Sequence, residues 1–141
     1  MILILSEEID ISTNEVLDWL QAFGMPYIKL NDTASIEILE WEIKNGKFRF
    51  LLKANDAGRA YFIDSEKIKF FWYRRGCFVL KDKMMNPLGN DIIAEKMRSF
   101  KEDNNKEITD FLHFFFEKKV KSVGAFHTNF TNKYFLSTKN A

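Results

Sequence analysis

Residues 1–30, MILILSEEIDISTNEVLDWLQAFGMPYIKL, decide the fold. Ile2 to Leu5 form a continuous apolar run, the pattern of a strand buried on both faces of a sheet. Ser12-Thr13-Asn14-Glu15 follows as a capping-box signature, a hydroxyl for free amide donors with a carboxylate three places on. Val16, Leu17, Leu20 and Phe23 recur at helical spacing, and Gly24 with Pro26 ends the helix. Tyr27 to Leu30 resumes as a strand. Strand, capped helix and strand predict a βαβ unit with parallel strands and a right-handed crossover.

Beyond it the rhythm changes. Ile36–Ile43 and Lys47–Ala54 flank Asn45-Gly46, the strongest short-range signal for a two-residue hairpin turn. An antiparallel insertion of this kind departs from a plain doubly wound sheet. Ile63–Tyr73 contains the next strand, whose apolar end is FFWY at Phe70–Tyr73. After a polar loop at Asn86-Pro87-Leu88-Gly89, the apolar spacing from Asp91 to Lys119 predicts one long helix, in preference to two broken at Asp103-Asn104-Asn105. Val123–Phe126 reads as a last short strand. The run from Thr131 reads as the first turns of another helix, so the chain is expected to be a fragment of something longer.

The chain has 141 residues, enough to bury one core, so a single globular domain is the default. Lys+Arg 21 against Asp+Glu 20 gives a formal charge of +1, which offers no reason to expect nucleic acid or an anionic membrane as partner. A lone cysteine, Cys77, rules out an internal disulfide framework and fits a reducing compartment. The N-terminal apolar run is too short for a signal peptide or a membrane span, and a cytoplasmic setting is the simple expectation.

The six glycines are too scattered for a phosphate-cradling loop; neither GxGxxG nor GxxxxGK[ST] occurs. His113, His127 and Cys77 lack metal-ligand spacing, and each reads as structural: His113 inside an aromatic helix, His127 after the last strand, Cys77 as a small packed side chain. Glu7, Glu8 and Asp10 cluster at the carboxyl end of the first strand, where open α/β sheets place ligands and receiver domains hold magnesium. The hairpin occupies the place where a receiver needs its next aspartate. The cluster therefore reads as a solvated loop whose charge suits the helix N-terminus.

Arg74 and Arg75 leave the aromatic strand as a pair of fixed positive charges. Strand alternation would send them to opposite faces: one into a crevice at the strand end, the other to backbone carbonyls or a carboxylate such as Glu66. The competing readings are a loop clamp and an anion contact strengthened by the low dielectric of the aromatics. A stacking platform for single-stranded nucleic acid would need exposed, interleaved aromatics on a basic surface; these are contiguous and the charge is balanced, so core packing is preferred.

The order of MILILSEEIDISTNEVLDWL, PYIKLN, FFWYRRG and the ending VGAFHTNFTNKYFLS resembles the N-terminal domain of ATP-grasp peptide maturases, the graspetide ligases, and among them the grasp-with-spasm group. The resemblance covers essentially the whole chain. Its most specific part is Trp72-Tyr73-Arg74-Arg75 ahead of a long helix and the Asn132-Lys133 pair.

It implies a Rossmann-like pre-ATP-grasp domain over residues 1–128 of a mixed α/β fold: a mixed sheet, a hairpin insertion and one long helix, with 129–141 starting the connection to a central domain. It also implies an ATP- and magnesium-dependent ligase that activates an Asp or Glu side chain of a precursor peptide as an acyl phosphate. A Ser, Thr or Lys side chain of the same peptide then attacks it, giving an ester or amide link. The nucleotide, the metal and the leader peptide are held by downstream domains, so this chain alone would be non-catalytic, without catalytic or metal residues of its own. Arg74 and Arg75 alone carry over, as candidates for lining the interdomain cleft near peptide or phosphate. The implied partners are the remaining ligase domains, the precursor peptide and a possible second copy. Two rivals stand beside this: a stand-alone α/β module that binds a protein or peptide, and a carboxylate–amine ligase acting on a small molecule or protein tail.

Overall fold

The computed structural model describes residues 1–81 and 92–126, the Lys44 side chain excepted. The predicted βαβ opening is present: β1 (Ile2–Ser6), α1 (Ile11–Ala22) and β2 (Tyr27–Asn31), with β1 and β2 parallel. β6 (Phe70–Tyr73) lies on the other side of β1, and β8 (Lys121–Val123) beyond it, so a four-stranded parallel sheet runs β2-β1-β6-β8.

The predicted hairpin also forms. β3 (Ser35–Lys44) and β4 (Lys47–Asp56) turn through Asn45 and Gly46, whose φ values of 52° and 71° are those of a tight primed turn. It is not inserted into the parallel sheet. It builds a second, mixed sheet ordered β5-β4-β3-β7, with β5 (Arg59–Asp64) antiparallel to β4 and β7 (Val79–Leu80) parallel to β3. The expected strand Ile63–Tyr73 is thus divided: Ile63 and Asp64 end β5, a 3-10 turn covers Ser65–Lys67, and β6 starts at Phe70. The last strand falls at Lys121–Val123, three residues ahead of where the apolar run VGAF ends.

α2 (Ile92–Lys119) is one helix of 28 residues, unbroken at Asp103–Asn105. Crossovers β1-α1-β2 and β6-α2-β8 step in opposite directions from the centre of the sheet. With the right-handed sense that such crossovers take, they set α1 and α2 on opposite faces. Packing agrees. Leu3, Leu5, Leu30, Phe71 and Tyr73 share one core with Leu112, Phe115 and Phe116 of α2 and with Ile36, Leu52 and Ile63 of the second sheet. Ile4 is fully buried outside that core, and the Ser6 hydroxyl lies 3.1 Å from that of Thr13 on α1.

FFWY therefore obeys a period of two. Phe71 and Tyr73 enter the core while Phe70 and Trp72, paired with Ile2 and Ile4, are half-buried on the α1 side. α1 covers its face thinly. Of its residues only Thr13 is buried, and Trp19 and Phe23 stack on each other in solvent, 65% and 72% exposed.

One polar clamp joins the two sheets and another ties strands within the second. Asp56 accepts from the Asn31 amide at 3.0 Å and from Asn31 Nδ2 at 3.2 Å, tying the end of β4 to the end of β2. Arg49 on β4 bonds Asp64 at 3.0 Å and Glu42 at 3.1 Å across the outer face of the second sheet. The loop Asn86–Gly89, His127, the Asn132-Lys133 pair, the run from Thr131 and the boundary between 1–128 and 129–141 lie outside the described residues.

Candidate functional site

In an open parallel sheet, ligands bind outside the carboxyl ends of the strands where the order of connection reverses. Here that point lies between β1 and β6, because the chain passes from β1 outward to β2 and from β6 outward to β8. The β1 end supplies Ser6, Glu7, Glu8 and Asp10; the β6 end supplies Arg74 and Arg75.

Both arginine amides donate to the Leu5 carbonyl, at 2.9 Å for Arg74 and 3.3 Å for Arg75. The strand has ended at Tyr73, so alternation no longer separates the pair. Both side chains reach the β1–α1 loop, which corrects the expectation of opposite faces. Arg74 Nε meets Asp10 Oδ2 at 3.3 Å, and Arg75 Nη1 donates to Glu7 Oε2 at 3.2 Å. Glu66 is no partner of either; it lies 3.7 Å from Arg49.

Asp10 is the fixed point of the site. It caps α1 in place of the expected Ser12, accepting from the Thr13 amide at 3.4 Å. The Ser6 and Thr13 hydroxyls each donate to Asp10 Oδ2 at 2.9 Å. Burial works to raise its pKa; the Ser6 and Thr13 hydrogen bonds and the Arg74 charge outweigh it and hold the carboxyl below its ordinary value. The acidic stretch is thus not uniformly solvated. Glu8 is exposed, Glu7 is half-exposed on Arg75, and Asp10 is buried.

Among the described residues the Arg74 Nη groups, and Nε and Nη2 of Arg75, have no partner. The edge therefore offers free guanidinium donors held by a rigid base, an arrangement suited to an oxyanion. Lys29 Nζ adds a third cation beside the loop, 3.4 Å from the Glu8 carbonyl oxygen and 3.3 Å from Asn14 Oδ1.

Two other sequence candidates, His113 and Cys77, fall among the described residues and are packed into the fold. His113 is fully buried; its Nε2 accepts from the Phe78 amide at 3.3 Å, and its ring stacks on Phe126 at 4.1 Å. Cys77 has its thiol pushed up in pKa by burial and by the Asp32 charge, so it is no thiolate nucleophile at neutral pH. It borders an open groove of about 710 Å³ between β7 and α2. No group of three or more His, Cys, Asp or Glu among the described residues is placed to hold a metal ion. Among the described residues the arginine edge has no glycine loop of the kind that cradles a nucleotide. No helix among them is long and apolar enough to cross a membrane.

No protein-family model matches the sequence, and no curated protein matches it. Solved structures do. The macrocyclase MdnC from Microcystis aeruginosa MRC, bound with precursor peptide MdnA, superposes with a TM-score of 0.53 at 16% identity, over 89% of this chain and 37% of that one. A Chryseobacterium gregarium RiPP-associated ATP-grasp ligase, in complex with ADP and a leader and core peptide, gives 0.53 at 21% identity, over 88% and 34%. The macrocyclase MdnB of Microcystis aeruginosa MRC gives 0.52 at 15% identity, over 88% and 37%. The chain spans little more than a third of the length of these proteins. The chain thus shares its fold with part of two macrocyclases and of a RiPP-associated ATP-grasp ligase.

Proposed function

We propose that this chain is the N-terminal, pre-ATP-grasp domain of a cytoplasmic graspetide ligase, which links side chains of a ribosomally made precursor peptide by ester or amide bonds. The observation that carries it is the fold: nearly nine-tenths of the chain superposes on about a third of a macrocyclase bound with its precursor peptide and of an ATP-grasp ligase in complex with a leader and core peptide. ATP and magnesium are assigned to the other two thirds of such a ligase. The part played here is a wall. The carboxyl edge of the parallel sheet, with Arg74 and Arg75, faces the cleft where an anionic group of the peptide or a phosphate lies. The exposed Trp19, Phe23 and Trp41 are surface for the remaining ligase domains or for a second copy.

A complete ligase, read through to its own stop codon, supplied with ATP, magnesium and the short precursor encoded beside it, should remove one water mass per link from the peptide. The 141-residue chain alone should remove none. Arg74→Ala and Arg75→Ala in the complete ligase should slow the reaction. A stop codon directly after Ala141, with no ATP-grasp domain encoded nearby, would overturn the assignment. It would favour a stand-alone peptide-binding module, for which the single continuous core also speaks.

A further inference from the structure

The two ion pairs at the switch point differ in kind. Asp10 is 6% exposed and accepts three hydrogen bonds besides its contact with Arg74. Moving it would uncap α1 and strand two hydroxyls. Glu7 is 43% exposed and Arg75 53%, and a single contact of 3.2 Å joins them. A pair this open is held weakly, because water competes for both charges. One arginine is thus clamped and the other occupied by a carboxylate that can leave.

We propose that Glu7 is a built-in competitor: it occupies Arg75 in the free protein and is displaced when a carboxylate ligand binds there. The proposal rests on the assignment of Arg75 to a cleft and adds the identity and regulation of what it holds. Charge selects the ligand. At the arginine edge Arg74 meets Asp10 and Arg75 meets Glu7, two cations against two carboxylates, while Lys29 touches Glu8 only through its backbone carbonyl. With Glu7 swung into solvent, one positive charge is left over. A monoanionic carboxylate neutralises it, whereas a phosphate dianion would leave an excess negative charge beside Glu8 and Asp10. Geometry agrees: Arg75 already accommodates a carboxylate and keeps Nε and Nη2 free for a second contact.

The test is the affinity of the 141-residue chain for a labelled hexaglutamate peptide, read by fluorescence anisotropy at low salt. Glu7→Gln should tighten binding about two- to fivefold, the range an exposed pair can withhold. Arg75→Gln should abolish it, and the Glu7→Gln/Arg75→Gln double variant should match Arg75→Gln. Glu8→Gln removes the same charge from the same loop without touching an arginine, and should tighten binding less than Glu7→Gln. A hexaglutamine peptide should not bind, and inorganic phosphate should displace hexaglutamate less well than acetate does. Equal affinity of Glu7→Gln and wild type, equal effects of Glu7→Gln and Glu8→Gln, or preferential displacement by phosphate would each overturn the proposal. None of these outcomes bears on whether the complete ligase modifies its peptide, so the two ideas fail separately.

Discussion

Asp10 shows how one side chain can carry several loads, and its removal is measurable. Asp10→Ala loses the α1 cap and leaves the Ser6 and Thr13 hydroxyls only each other, which should lower stability by about 1–3 kcal/mol in urea unfolding. Its folded-state pKa lies below the unfolded one, so the charge contributes stability above the ordinary carboxylate range. That contribution should fade as pH falls through the depressed folded value. The gap between wild type and Asp10→Asn should therefore be constant near neutrality and close in acid. Ala57 is a contrary case. It sits at φ 46°, in the left-handed region, opening the turn between β4 and β5. Ala57→Gly or Ala57→Asn should raise the unfolding midpoint, relieving about 1 kcal/mol of backbone strain. A fall in the midpoint would show the turn to be relaxed as it stands. That residue also explains why β5 is hard to read from sequence: Ala-Gly lacks the turn signal that Asn45-Gly46 supplies.

At the scale of elements, what was legible followed local periodicity, and what was hidden depended on distant partners. The apolar run of β1, the Asn45-Gly46 hairpin and the spacing of α2 are local, and all three formed. Ser12 looked a better cap than Asp10 because Ser6 and Arg74, which fix Asp10, come from other elements. β7 has two residues and exists through its pairing with β3, so no pattern announces it. β3 did carry an unread signal. Along the face it shares with Leu52 and Phe50 its apolar residues run Ile36, Ile38, Trp41, Ile43, the last two exposed, with steps of two, three and two, and the step of three coincides with the irregularity between Ile38 and Glu40. The extra residue keeps both halves on one face, Trp41 opposite Phe50 and Ile43 opposite Phe48. α2 should divide sharply by face. Leu112→Ala, fully buried, should cost about 2–5 kcal/mol, whereas Phe114→Ala, 52% exposed, should stay within about 0.5 kcal/mol. Similar losses at both would mean that Phe114 is covered in solution.

For the whole molecule, the three tryptophans report on what surrounds it. Trp19 and Trp41 are 65% and 68% exposed and Trp72 is half-buried, so native emission should be red-shifted and readily quenched by acrylamide. Joined to the rest of a ligase, the same residues should shift to the blue; no shift would mean that those faces stay open. The partners of Arg74 and Arg75 were beyond sequence reading for a topological reason: Glu7 lies 68 residues from Arg75 and meets it because β1 and β6 are neighbours. The exit of the chain is fixed by the same topology. Gly124, at φ 74°, presses so close on the Tyr73 carbonyl that any Cβ would collide with it. β8 runs parallel to β6, so the polypeptide leaves it at the edge that carries the arginines. Anything tethered there by a short linker starts beside Arg74 and Arg75 at a local concentration in roughly the millimolar range, and needs little intrinsic affinity to dock.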